Sequence, residues 1–196
     1  NLDMATLTPT LSLTSTTLSD SETFSLSVTD VLPVGGQNIS FQVVLGNTLH
    51  TTVAAAANYT KSYVMLKNLS TTSAEVITIT HASFTHADCD INNATGITDI
   101  TGIHGAKVNM QAYHPTGKIP IGGRVTAVTD ATDLVLGVTT TGGDLDNQTL
   151  TFANSVMELG AEEFAFFPWS SVFDLGGHSA SGTPTLEVRI FQAANA

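Results

Sequence analysis

Basic residues are scarce in this chain. Lys61, Lys67, Lys107, Lys118, Arg124 and Arg189 are the only six among 196 residues, against 17 acids, for a formal charge of -11. Recognition of a phosphate backbone needs clustered Lys and Arg, and none cluster here, which argues against a nucleic-acid partner and against an anionic membrane surface. Cysteine is scarcer still: Cys89 stands alone, so no disulfide can form within the chain. A fold without disulfides that works outside the cell must rest on its core or on oligomerisation, and assembly inside the cell before release would account for their absence. No apolar run approaches the ~20 residues of a membrane span, and no stretch shows the basic start and apolar run of a secretory leader. Charged residues of both signs make up only 12% of the chain.

What fills the space instead is a 42% hydrophobic content with Thr, Ser, Asn and Gly as most of the remainder. Such a polar, uncharged composition suits an extracellular or particle-bound protein better than a cytosolic enzyme. The length allows one large β domain, or a core with a substantial insertion, and is enough to bury a sizeable core.

Period-two alternation recurs along the chain. The C-terminal part holds two strong apolar runs, Phe164–Trp169 and Leu186–Phe191, joined by a Gly/Ser/His-rich connection over Gly176 to Thr183. Leu186, Val188 and Ile190 share one strand face and Glu187 and Arg189 the other. The first run is apolar on both faces, which predicts a place in the middle of a sheet or against a neighbouring molecule, with Pro168 ending it. Residues 1–22 are Thr/Ser/Leu-rich and read as an extended arm that becomes ordered on a neighbour. From Thr23, segments around Phe24–Val28, Ile39–Val43 and Thr48–Val53 predict an antiparallel meander or part of a Greek key, with a turn at Pro33-Val34-Gly35-Gly36. Ala54–Ala57 is too short for a stable helix and predicts a single turn or loop. Tyr63–Asn68 and Val76–Thr80 predict a hairpin through Leu69–Ala74. Turn signals at Asn92–Gly96, Pro115-Thr116-Gly117 and Gly142-Gly143-Asp144 punctuate the middle section. Within it Lys107–Ala112 reads as a strand, Arg124–Val128 is expected to pair with Asp133–Val138, and Thr149–Phe152 returns the chain to the main sheets. No helix of ten or more residues is expected. The predicted fold class is all-β: an antiparallel, jelly-roll-like β-sandwich formed by 23–81 and 149–196, with a β-rich insertion over 82–148 and the arm over 1–22.

Candidate chemistry is thin. His81, His86, Asp88, Cys89 and Asp90 combine soft, imidazole and carboxylate ligands that could hold Zn²⁺ or Ca²⁺, but the second Cys, the paired-His spacing and the EF-hand Gly and Glu are missing. A structural or loop role is therefore expected, with no metal and no cofactor. No Gly-x-Ser-x-Gly elbow occurs, and Gly177-His178-Ser179 falls in what reads as an exposed connection. Glu162 and Glu163 are adjacent, which in a strand would turn them to opposite faces; they read as solubilising charges beside an apolar strand. Sequons occur at Asn38, Asn58, Asn68, Asn93 and Asn147, and in a chain so rich in Ser, Thr and Asn they are expected to arise by chance; Asn68 also suits a turn for backbone reasons. No catalytic residue is assigned. The aromatic group Phe164, Phe166, Phe167, Trp169 and Phe173 is the candidate interface: core packing for its inward half, subunit contact or a carbohydrate platform for its outward half.

Several of these segments together resemble small β-sandwich structural proteins of tailed bacteriophages. The resemblance rests on Tyr63–Thr72 with Glu75–Ile79, a strand, Lys-Asn, Ser/Thr turn and strand; on Gly160–Trp169, a Gly-Glu-Phe strand ending in Pro-Trp; and on Gly182–Val188, a final Thr-Pro-Thr-Leu-Glu strand. It covers about a third of the chain, and the long segment between Thr80 and Thr149 departs from it. The resemblance implies a non-enzymatic virion protein, assembled in the host cytoplasm, that decorates or cements the head shell by contact with the major capsid protein or other virion proteins. A homo-oligomer, with a trimer favoured, would suit a capsid symmetry axis. The alternative expectation is a receptor- or carbohydrate-binding module of a fibre or secreted protein, using exposed aromatics such as Trp169 or Tyr113.

Overall fold

The computed structural model describes residues 5–19, 22–92, 97–100, 105–141 and 144–194. Its strands are, in chain order, β1 (Ala5–Leu7), β2 (Thr10–Ser19), β3 (Glu22–Thr29), β4 (Leu32–Val44), β5 (Thr51–Ala54), β6 (Ser62–Asn68), β7 (Ile77–Asn92), β8 (Ile97–Ile100), β9 (Gln111–Tyr113), β10 (Val125–Val128), β11 (Asp133–Leu136), β12 (Leu145–Leu159), β13 (Phe164–Trp169), β14 (Leu175–Ser179) and β15 (Thr185–Ala193). A single 3-10 turn at Ala56–Asn58 begins within the alanine run, and no α-helix occurs among the described residues. The protein is thus all-β with antiparallel sheets, one of them curled into a half-barrel. No helix is long and apolar enough to cross a membrane among the described residues.

One sheet has five strands in the order β1-β4-β15-β6-β13. The larger sheet has the order β10-β11-β8-β7-β12-β9, with β14 pairing both β7 and β5. Strands β2 and β3 pair only with each other. The two long strands β7 and β12 form the spine of the larger sheet, pairing from Ile77↔Leu159 to Ile91↔Leu145. At one end of the spine β14 lies beside β7 over Ile77 to His81; at the other end β8 takes that place over Cys89 to Asn92. The far ends of the distal row, β9 and β10, are bridged at Gln111 and Arg124.

Two hydrophobic cores result. The first draws Val64 and Leu66 from β6 and Leu186, Val188 and Ile190 from β15, and packs them against Ile77, Ile79, Leu159 and Leu175 of the larger sheet. The second gathers Cys89, Ile91, Met110, Ile119, Val125, Leu134, Leu150 and Phe152 at the distal end. The spine serves both because its register slips at bulges. On β12 the residues facing core change from Leu150 and Phe152 to Met157 and Leu159, a change of parity made possible by register shifts between Phe152 and Asn154 and between Ser155 and Met157. A bulge adds one residue to a strand and turns the following side chains to the other face. Asp88 and Asn147 sit at two such irregularities with φ of 57° and 55°, a left-handed conformation that Asp and Asn adopt more readily than most residues.

Several expectations are corrected. β2 and β3 pair antiparallel, Leu11 opposite Val28 and Leu13 opposite Leu26, so much of the segment expected as an extended arm with little structure of its own is paired with the strand expected to open a meander. That meander does not form: β4 pairs with β1 and β15, and β5 with β14. Pro33 to Gly36 lies inside β4 rather than in a turn. The hairpin expected from Tyr63–Asn68 and Val76–Thr80 is absent, because β6 joins the five-stranded sheet and β7 the other. The link between them carries the chain across the first core, secured by Asn68, whose side-chain amide donates to Glu75 O at 2.8 Å and Leu159 O at 3.2 Å. Lys107–Met110 forms a turn, leaving only Gln111–Tyr113 as strand. The pairing of β10 with β11 agrees with expectation. Boundaries expected at 81/82 and 148/149 fall inside β7 and β12. The turns expected at Asn93–Gly96 and Gly142-Gly143 lie outside the described residues.

Phe152 is fully buried in the distal core, so Phe152→Ala should cost about 3–5 kcal/mol. Phe164, 62% exposed, should tolerate Phe164→Ala within about 0.5 kcal/mol. Urea unfolding of the two variants checks the contrast, and equal losses would contradict the assignment of faces.

Candidate interaction surface

The five-stranded sheet turns one face to the first core and the other to solvent. Alternation along β13 sends Ala165, Phe167 and Trp169 inward, where Ala165 and Phe167 pack on the core and Trp169 is buried. The same alternation sends Phe164, Phe166 and Pro168 outward. Next to them on β6, Lys67, Met65 and Tyr63 stand opposite these three in register, and Phe191 of β15 stands opposite Tyr63. The rings of Tyr63 and Phe166 stack with centroids 6.1 Å apart. The candidate interface is therefore divided: Phe164, Phe166 and Phe173 are exposed, while Phe167 and Trp169 face the core. Trp169 donates its indole N–H to Phe173 O at 3.1 Å, which holds the Phe173 loop against the end of β13. Of the two places expected for this strand, mid-sheet or against a neighbouring molecule, the first is corrected, since β13 is the edge of its sheet. Pro168 is tolerated there because an edge strand has a side on which no ladder donor is needed.

The β2–β3 hairpin extends this apolar surface. Leu11, Leu13, Leu26 and Val28 form cross-strand pairs and all remain exposed. At its base, Pro9, Leu11, Val28 and Leu32 face Tyr63, Phe166 and Pro168 across a groove of about 550 Å³, with Lys61 and Asp30 at its rim. An isolated two-stranded ribbon is marginal in water, and exposed apolar pairs on a free ribbon and on a sheet edge mark surfaces that other chains cover.

A second cluster is polar and buried. It lies on the larger sheet's face turned away from the first core. His50 Nε2 and Thr80 Oγ1 are 2.7 Å apart; Tyr113 donates its hydroxyl to Gln111 Oε1 at 3.1 Å; Gln111 donates its amide to Ser155 Oγ at 2.8 Å. His178 Nδ1 is 3.1 Å from the Tyr113 oxygen. The single phenol proton goes to Gln111, so His178 Nδ1 carries a proton and donates. The His50 and Tyr113 rings pack with centroids 4.6 Å apart. Gly176 makes room for this stack, since a Cβ there would stand 2.4 Å from His50 Nε2. Of the connection expected over Gly176 to Thr183, 180–183 form the link to β15, while Gly176 to Ser179 is corrected to the wholly buried strand β14. Its Gly-Gly pair serves close packing rather than flexibility. Ser179 Oγ donates to Ser181 O and accepts from Ser181 N, and neighbouring strand positions face opposite ways, so Ser179 and His178 do not form a nucleophile and base pair.

Burial pushes His50 down to about 4. It does the same to His178, where the charges of His50 and Arg124 add to the effect. Burial also raises the Tyr113 phenol. Every group is thereby held neutral at pH 7, and the arrangement pins four strands and the segment before β5 together by neutral hydrogen bonds. His114, also buried, accepts at Nδ1 from Thr116 N at 3.1 Å and so donates from Nε2 to Gln148 Oε1 at 2.8 Å. Sequence spacing does not bring these histidines together, because they come from segments far apart in the chain.

The sequence candidates scatter. Cys89 is buried with its Sγ 3.9 Å from His86 Nδ1; burial, reinforced by the charges of Asp88 and Asp90, pushes its thiol up to about 11, which makes it a poor nucleophile and metal ligand. His81 turns instead to Phe173, edge to face at 5.2 Å. Among the described residues no three His, Cys, Asp or Glu groups gather as a metal site would require. Glu162 and Glu163 lie in a turn before β13 rather than in a strand, Glu162 at φ 63°, and Glu163 accepts from Gly160 N at 2.7 Å. Asn38, Asn58 and Asn147 are exposed, Asn68 is fully buried, and Asn93 lies outside the described residues.

No family model matches the chain, and no curated protein and no solved structure matches it either.

The polar cluster sets a pH dependence. A histidine whose folded pKa is depressed stabilises the fold above its unfolded value of about 6.5 and loses that contribution as pH falls toward about 4. Each of His50 and His178 should forfeit roughly 3 kcal/mol over that window. Urea midpoints should hold above pH 7 and decline below 6.5, and NMR titration should show both imidazoles still neutral at about pH 5.5; ordinary titration of either would overturn the assignment.

Proposed function

We propose that this chain is a non-enzymatic virion structural protein that decorates or cements a capsid shell. The single observation that carries the reading is the apolar surface made by the β2–β3 hairpin, the groove with its half-buried Tyr63, and the exposed Phe166 and Phe164. A surface of this kind on a chain of charge -11 fits docking by apolar and hydrogen-bonded contact rather than by charge. Support also comes from the resemblance of the β6, β13 and β15 segments to phage β-sandwich proteins. In this reading the two facing sheets around the first core act as a jelly-roll-like β-sandwich, with the distal core as its projecting insertion. The mechanism is mechanical: many copies bind the major capsid protein and one another, and weak contacts add through avidity to resist pressure from within. The protein then resides in the virion after assembly in the host cytoplasm, with no nucleic acid or membrane among its partners.

A receptor- or carbohydrate-binding role would have to use the stacked Tyr63 and Phe166 in the groove, because Trp169 and Tyr113 are buried.

Sedimentation from the native source tests the proposal. The protein should travel with large, nuclease-protected DNA particles at fixed stoichiometry, and Phe164→Ser with Phe166→Ser should lower its occupancy on particles about tenfold or more while leaving its melting unchanged. A small free species that binds glycans saturably would favour the alternative.

A further inference from the structure

We propose that the β2–β3 hairpin of one copy lies across the solvent face of the five-stranded sheet of a second copy. The inference rests on the reading of these surfaces as assembly surfaces, and it names the occupant: this chain itself.

Three observations point to a second copy. The first is that both halves of an apolar contact are exposed on the same molecule: the paired Leu11, Leu13, Leu26 and Val28 on the hairpin, and Phe164 and Phe166 on the sheet beside the half-buried Tyr63. The second is charge. No Lys or Arg occurs before Lys61, and the chain up to that point carries Asp3, Asp20, Glu22 and Asp30. Of the six basic residues, Lys61 lines the groove, Lys67 faces outward between Phe164 and Glu187, and Arg189 sits beside Met65 on the same face. Arg189 is already held by Glu187 at 2.5 Å, which leaves Lys61 and Lys67 to meet an acidic ribbon. In a strongly acidic chain, a hairpin with no basic residue and a face that carries Lys61 and Lys67 are the pair of surfaces least opposed by self-repulsion. The third is reach. A ten-residue strand extends about 33 Å at ~3.3 Å per residue, while five strands span about 19 Å across at ~4.8 Å spacing. The hairpin can therefore cross a whole sheet and end beyond its edge.

The groove gives the contact a starting point. In one molecule the hairpin base already faces Tyr63, Phe166 and Pro168, while the outer pairs Leu13 and Leu26 have no sheet beneath them in their own chain and stay exposed. A contact of hairpin to sheet is heterologous, and such contacts close into rings when the rotation per subunit allows it.

The test uses the purified full chain and no particles, so its outcome is independent of whether the protein is found on virions. Two double variants are made, Leu13→Asp with Leu26→Asp on the hairpin and Phe164→Asp with Phe166→Asp on the sheet. All four positions lie outside both cores, and circular dichroism melting confirms that each variant folds. In sedimentation velocity the parent chain should self-associate, and each double variant alone should associate at least about a hundredfold more weakly. An equimolar mixture of the two should recover a one-to-one dimer, because one intact hairpin then meets one intact sheet. As a second readout, Leu13→Cys in one copy and Phe166→Cys in another should form an interchain disulfide, the native Cys89 being buried. A parent chain that stays monomeric at all accessible concentrations overturns the proposal. So does a mixture that fails to recover the dimer, which would mean that the hairpin packs on another hairpin, on its own sheet or on a different partner.

Discussion

The constraint on which the rest of the structure depends is that one pair of strands must serve two cores. Strands β7 and β12 are paired along most of their 16 and 15 residues, and an undisturbed ribbon of that length would keep each strand's apolar side chains on a single face. The register shifts between them let the ribbon present Ile77, Ile79, Met157 and Leu159 to one core and Ile91, Cys89, Leu150 and Phe152 to the other. The other strands of the larger sheet attach to one half of the ribbon or the other: β14 and β5 at the first core, β8, β11, β10 and β9 at the second.

The joint between the halves is where the buried polar side chains collect. Thr80 and Ser155 sit opposite each other at a bulge, and they anchor the two ends of the chain of contacts through His50, Tyr113, His178 and Gln111. A bulge interrupts the regular ladder and changes which side chains face which way, so neighbouring polar side chains can be met there by side chains from distant segments. Gln111 and Tyr113 come from the distal half and His50 and His178 from the proximal half, so the same neutral hydrogen bonds that satisfy buried groups also fix the two halves to each other. The low dielectric of the site keeps its imidazoles uncharged, which makes the joint firm at neutral pH and sensitive to acid.

The outer surface follows from a different rule. In the five-stranded sheet the inward alternation is filled by Leu186, Val188, Ile190, Val64 and Leu66, so the outward positions of β13 need not be apolar for folding. That Phe164 and Phe166 occupy them, beside a free hairpin with its own leucine pairs, is not required by the first core. An apolar side chain that contributes little to the fold it sits on is best accounted for by a contact outside it.

By itself the sequence determined what local physics can determine. Alternation marked β15, apolar runs marked β13 and β6, the absence of long helical patterns marked the class, and two short apolar segments close in sequence marked the hairpin of β10 and β11, whose turn Asp130 closes by accepting from Thr132 and Asp133. The outward and inward halves of Phe164–Trp169 were also implicit in alternation. Which strands pair was decided only in three dimensions. Tyr63–Asn68 and Val76–Thr80 look like a hairpin because they are close in sequence, yet each pairs on both sides with strands distant in sequence, β15 and β13 for one, β12 and β14 for the other. Gly176-Gly177 looks like a flexible link because its glycines lack side chains, and it is buried for the same reason, since His50 and Thr78 approach where a Cβ would stand. Local pattern fixes the face a residue turns to. Pairing between segments a hundred residues apart depends on the area each arrangement buries, and that quantity exists only once the sheets have met.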